Sequence, residues 1–144
     1  MNKNIYIVLG LLSLILDQAI KFIVLNTPLF DNGVFIFGGT FGIHKFINQN
    51  FSWSLPLSNQ YSIVLMVLVM IILVWVCIRY SIHPIYLILG GAFSNLIDRI
   101  IHNGVVDYIV VPWGGIINIA DVIIFIGVVL LIFNIRWSDN KNFN

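Results

Sequence analysis

From Tyr61 to Ile78 the chain carries no charged side chain, and Arg79 closes the run. A helix that crosses a bilayer needs roughly 20 largely apolar residues. In hydrocarbon the backbone has no water to bond, so a spanning segment must satisfy its own polar groups, as a helix does. Three more stretches qualify: Ile5 to Leu25, Ile85 to Ile101 and Ile116 to Trp137. The composition agrees, at 60% hydrophobic and 9% charged, where soluble domains carry about 25% charged residues. The reading is one integral membrane domain over residues 1–144. A net charge of +1 leaves no electrostatic footprint for a nucleic-acid partner. Cys77 is the sole cysteine, so no internal disulfide forms; it reads as a small buried or lipid-facing hydrophobe.

The first run lies behind Lys3 like a signal-peptide core, but no small-x-small cleavage site follows it. Asp17, Gln18 and Lys21 come instead, so it reads as a retained helix, ended by Asn26-Thr-Pro28. Residues 29–59 differ in kind. Asp31-Asn-Gly33 and Gly38-Gly39 bracket short apolar, aromatic pieces that read as strands. Phe30, Phe35, Phe37, Phe41, Phe46, Phe51 and Trp53 suit an interfacial belt. The 102–115 stretch reads as a loop ending in Pro112-Trp-Gly-Gly115. Gly90-Gly91 lets a neighbouring helix approach the third span closely. The expected fold class is membrane all-α: four transmembrane helices with a small, outward-facing β-rich platform between the first and second.

Four spans put both termini on one side, with Lys3, Arg79, Arg136 and Lys141. By the positive-inside rule that side is cytoplasmic. The platform, the 102–115 loop and every membrane-embedded acid then gather at the outward surface. Buried acids are costly and functional by default. At 1.5 Å per residue, Asp121 lies roughly 7–8 Å below the start of the fourth span, and Asp107 sits in the loop that folds over the same end. Two carboxylates held close share a proton, so one can serve as base and the other as acid. The spacing equally allows Asp107 as an exposed loop residue and Asp121 as an unrelated buried acid.

Asn118, three residues before Asp121, would share its helix face, orienting the carboxylate or bonding a neighbouring helix. Asn95, Asp98 and Arg99 also share a face. Arg99 either pairs with Asp98 or reaches toward the two acids, and Asp98 reads as structural. Asp17 and Lys21 form an i, i+4 pair near the interface, with Lys21 snorkelling outward. His44 and His102 lack metal-ligand spacing, and Ser52, Ser54 and Ser94 have no placed base. A small proton-coupled transporter is the competing class, though transporters hold such acids near the midplane.

Five blocks together resemble the lipoprotein signal peptidases (signal peptidase II), bacterial aspartic peptidases of the inner membrane. They are Asp17-Gln-Ala-Ile-Lys21, Asn48-Gln-Asn-Phe-Ser-Trp-Ser54, Gly90-Gly-Ala-Phe-Ser-Asn95-Leu-Ile-Asp98-Arg99, Gly104-Val-Val-Asp107-Tyr-Ile and Ile117-Asn118-Ile-Ala-Asp121. The resemblance implies Asp107 and Asp121 as the catalytic dyad. It implies Asn95, Arg99 and Asn118 as residues that shape the site, and Asp17, Lys21 and Asn48 as residues important for activity or stability. It implies no metal or cofactor and an active site on the periplasmic side; a monomer with cytoplasmic termini is expected. Its substrates would be diacylglyceryl-modified prolipoproteins in membrane lipid, and globomycin its inhibitor. The chain departs from the family pattern at Asn50 and Ser94, where glycine is usual, and at Ile117, where an aromatic is usual. Loss of glycine removes positive-φ freedom, so a changed backbone is expected there. An inactive relative that only binds lipidated precursors is the reading these departures would favour.

Overall fold

Asn2 opens the first helix by accepting the amide of Asn4 on its side chain at 3.4 Å. Helix α1 runs Lys3–Asn26 and stops where Pro28 disfavours helical backbone at the residue before it; Thr27 is extended, at φ −111° and ψ 107°. Asn26 and Thr27 donate back to the carbonyls of Phe22 and Ile23, both at 2.7 Å. These side chains fold back on the last turn of the helix, where carbonyls begin to run out of intrahelical partners. The computed structural model describes residues 2–50 and 58–142, with side chains to 134. Phe51, Ser52, Trp53 and Ser54 therefore lie outside the described residues, as do the side chains of Arg136, Trp137 and Lys141.

The other helices are α2 (Asn59–Tyr80), α3 (Ile85–His102) and α4 (Ile119–Asn142). Helix α3 is the hub and packs against α4, α1 and α2. Small residues make this possible. A Cβ on Gly90 would collide with the Gly10 backbone of α1, and one on Gly91 would lie 2.6 Å from the Ala120 carbonyl oxygen of α4. The glycine pair thus admits two neighbours on different sides. Tyr6, Gly10, Ser13, Asp17, Lys21 and Val24 form the buried stripe of α1 at helical spacing. Among the described residues α2 buries only Ser62 and Cys77, leaving Leu68, Ile71, Ile72 and Trp75 exposed. Helices α1 and α2 are each long and apolar enough to cross a membrane.

Four short strands cap the helical layer: β1 (Val34–Ile36), β2 (Phe41–Asn48), β3 (Val105–Val110) and β4 (Ile116–Ile117). They form one antiparallel sheet in the order β1-β2-β3-β4. Phe35, Phe41 and Phe46 are exposed on its strands, and Phe37 on the turn between β1 and β2. The β2–β3 register shifts by one residue: Ile43 faces Ile109, but Phe46 faces Asp107 and Asn48 faces Val105. This bulge re-phases β2, because facing residues share one side of a sheet. Without it Lys45 would face Asp107, and Asn48 would point to the opposite side.

Four expectations change. The fold is mostly helical but not all-α, and the platform does not lie wholly between the first two helices. The 102–115 stretch is no plain loop: Val105–Val110 is rich in β-branched and aromatic residues and pairs with β2, far away in sequence. The fourth helix starts at Ile119, because Ile116 and Ile117 pair with Val110 and Ile109. Asp121 therefore lies in its first turn.

Candidate active site

The β3–β4 hairpin closes through Pro112-Trp-Gly-Gly115, where Gly114 takes φ 83° and Val111 N–H bonds the Gly115 carbonyl at 3.0 Å. The return strand brings Asn118 back alongside β3, next to Asp107. Asn118 then caps α4. Its Oδ1 accepts from the Asp121 amide at 2.9 Å, and its own amide donates to Asp121 Oδ2 at 3.4 Å. This is a reciprocal capping arrangement, so Asn118 lies at the helix entrance and not on the same helical face as Asp121. Its Nδ2 donates to Asp107 Oδ1 at 2.6 Å. One asparagine thus joins the strand carboxylate to the helix carboxylate.

Both acids have further donors. Asn48 Nδ2 donates to Asp107 Oδ2 at 3.2 Å, across the face set by the bulge. Asn95 Nδ2 donates to Asp121 Oδ1 at 2.9 Å. Asn95 Oδ1 accepts from Lys21 Nζ at 2.9 Å and from Asn118 Nδ2 at 3.2 Å. Asp107 is 3% exposed. Burial first, and then the neighbouring Asp121 carboxylate, push its pKa up to about 7, against the opposing pull of Asn48, Asn118 and Lys21. A carboxyl poised near neutrality beside a second carboxyl can hold or release a proton at working pH.

Lys21 corrects the expectation that it snorkels. It is 2% exposed and bridges Asp17 Oδ2 at 2.7 Å and Asp98 Oδ2 at 2.6 Å. With Asn95 Oδ1 as third acceptor, every ammonium proton is directed at an oxygen, which is what makes a buried ammonium tolerable. Asp98 is a junction: it also accepts from Gln18 Nε2 at 2.9 Å and from the Val106 amide of β3 at 3.1 Å. Its ion pair is with Lys21. Arg99 donates to Asn59 Oδ1 at 3.1 Å and to the Asn50 carbonyl at 2.9 Å, and Asn59 Nδ2 returns a bond to the Arg99 carbonyl at 2.9 Å. Arg99 therefore ties α3 to the start of α2 and to the segment after β2.

Residues 9–137 match the family model described as signal peptidase (SPase) II. The chain belongs to the signal peptidase II family. A lipoprotein signal peptidase of Listeria monocytogenes serotype 4a (strain HCC23) is 30% identical over 147 residues, covering 94% of this chain and 96% of that protein. One from Helicobacter acinonychis (strain Sheeba) is 31% identical over 156 residues, covering 98% and 94%. The fold is similar to a bacterial membrane enzyme solved by the in meso method at 2.3 Å resolution, with TM-score 0.82, 27% identity and coverage of 96% of this chain and 91% of that one.

The family departures find physical explanations. Neither Ser94 nor Asn50 has a positive φ, so neither side chain is strained by its own backbone. Ser94 sits inside α3, and its hydroxyl donates to Asp17 Oδ2 at 2.7 Å. Asn50 N–H bonds Asn48 Oδ1 at 3.2 Å, helping to orient the side chain that reaches Asp107. Ile117 pairs in β4. The sequence reading gave no role to Gln18, Ser94, Asn59 or Tyr108. Ser94 and Asp98 are i, i+4 on α3, a signal that both face α1. Tyr108 adjoins Asp107, and a buried tyrosine hydroxyl needs a partner.

Proposed function

We propose that this protein is an aspartic endopeptidase that removes signal peptides from diacylglyceryl-modified prolipoproteins, cutting before the lipidated cysteine. The observation that carries the reading is the meeting of Asp107 and Asp121 on one asparagine, Asn118, in a member of the signal peptidase II family. All four helices span the inner membrane as one domain over 1–144, and the protein acts as a monomer. The termini are cytoplasmic and the sheet is periplasmic, as the distribution of Lys and Arg favours.

The substrate's acyl chains stay in lipid beside α2, α3 and α4, and the signal peptide lies against the sheet. The two carboxyls share one proton. The ionised member takes a proton from water, the water oxygen attacks the scissile carbonyl, and the other carboxyl protonates the developing oxyanion. The proton taken from water then goes to the leaving amine as the carbon–nitrogen bond breaks, and the second carboxylate takes a proton back from the gem-diol as the carbonyl reforms. Asn95, Asn118 and Asn48 hold the carboxylates in place, Asp17, Lys21 and Asp98 hold Asn95, and Arg99 anchors the segment above. The chemistry calls for no metal or cofactor.

A gel-shift assay with a lipidated precursor tests this. The purified protein should cleave it, globomycin should block cleavage, and Asp107→Asn or Asp121→Asn should each abolish it in protein that still inserts and folds. Full activity in either variant removes the dyad. Binding without turnover in the unaltered protein would identify a non-catalytic relative, and proton-coupled transport in liposomes without cleavage would identify a transporter.

A further inference from the structure

Tyr108 is 2% exposed and has no part in the chemistry above. Its hydroxyl donates to Asp17 Oδ1 at 3.0 Å and accepts from the Ile119 amide at 3.2 Å. Ile119 is the first residue of α4, so that amide has no partner within the helix. The amide is part-buried, and its partner here is a side chain anchored from α1. Asp17 is itself fixed: Lys21 Nζ and Ser94 Oγ each lie 2.7 Å from its Oδ2. Burial, and then the charge of Asp17, hold the phenol well above its usual titration range, so it stays protonated and keeps donating to Asp17. Tyr108 also follows Asp107 directly in β3. One side chain therefore connects the strand that bears the first carboxylate, the start of the helix that bears the second, and the charged stripe of α1.

We propose that Tyr108 is a positioning residue for the carboxylate pair: its hydroxyl bridges Asp17 to the Ile119 amide and so sets where Asp121 stands relative to Asp107. This rests on the peptidase reading. Phenylalanine would fill the same space, but the Ile119 amide and Asp17 Oδ1 would each lose a partner, and the first turn of α4 would gain freedom to shift. A misplacement of about 1 Å at a reacting group costs on the order of 10²-fold in rate. Substrate-binding surfaces are untouched.

The test measures kcat and KM separately for full-length Tyr108→Phe on a lipidated precursor. Ser13→Ala serves as control; it removes a different buried hydroxyl, on α1, bonded among the described residues only to the Gly10 carbonyl at 2.8 Å. The expected result is a fall in kcat of at least about tenfold for Tyr108→Phe, with KM within about twofold and Ser13→Ala like wild type. An unchanged kcat in folded Tyr108→Phe overturns the proposal, as does a change confined to KM or an equal loss in Ser13→Ala. Amide exchange on the wild-type protein covers a variant that fails to fold. The Ile119 amide should exchange as slowly as amides in the middle of α4, and rapid exchange overturns the bridge. Should the wild-type protein leave the precursor uncleaved, the peptidase reading fails and the exchange result alone decides whether the bridge exists.

Discussion

Replacing Asp107 with asparagine keeps the side chain's size and removes its ionisation. Asp107 titrates at about 7 in the folded protein, against 3.8 for an ordinary aspartate. Three units at about 1.4 kcal/mol each amount to roughly 4 kcal/mol. The folded pKa is the higher one. The folded state therefore holds the proton more tightly than the unfolded chain, and stability from this group is fully present below pH 3.8. It falls as pH rises from there to about 7, and by then the loss is complete. Asp107→Asn has no such proton and lacks this fall. It carries a cost at every pH, since its amide nitrogen faces a donor, Asn48 or Asn118; a mismatch of that kind costs about 1–3 kcal/mol. The wild-type stability curve should therefore approach and then pass below that of the variant as pH rises. Unfolding by guanidinium in detergent micelles, from about pH 4 to about pH 8, measures both curves. Parallel curves across that window would refute the account of Asp107 as a proton-holding group strained by burial and by its neighbour.

Gly90→Ala should destabilise the protein by about 1–3 kcal/mol, because the new methyl meets the Gly10 backbone and the helices must separate. Cleavage should fall with it, since α1 carries Asp17 and Lys21; an unchanged thermal midpoint and rate would show that α1 and α3 are not in close contact. Lys21→Met leaves Asp17 and Asp98 buried without their cation and should cost about 3–5 kcal/mol. Wild-type accumulation in membranes together with a wild-type melting temperature would refute that.

Much of the helical layer was legible in the chain. The runs read at 5–25, 61–78 and 85–101 became Lys3–Asn26, Asn59–Tyr80 and Ile85–His102, since long apolar runs leave the backbone little choice but helix. The start of α4 was misread because Ile116-Ile117 suits a strand as well as a helix; Asn118 and its reciprocal bonds with Asp121 fix the boundary. Strand β3 was missed for a related reason: its partner, β2, lies on the far side of two helices, and pairing of that range leaves no local pattern. The polar residues themselves were legible, because a charge in so apolar a chain is costly wherever it lies. Their partners were not. Lys21 looked like half of an i, i+4 pair and turned out to join α1 to α3 through Asp98 and Asn95.

By itself, the sequence determined that this chain folds around apolar helices and that the aspartates within its apolar spans gather toward one end of them. Hydrophobic burial and charge cost are properties of each residue and its near neighbours, so they can be read along the chain. Tertiary structure alone decided which groups meet. A single extra residue in β2 turns Asn48 toward Asp107, and the β3–β4 return places Asn118 between the two carboxylates. Side-chain facing in a sheet alternates with period two, so one residue of register, set by packing between distant segments, determines which side chain reaches the acid.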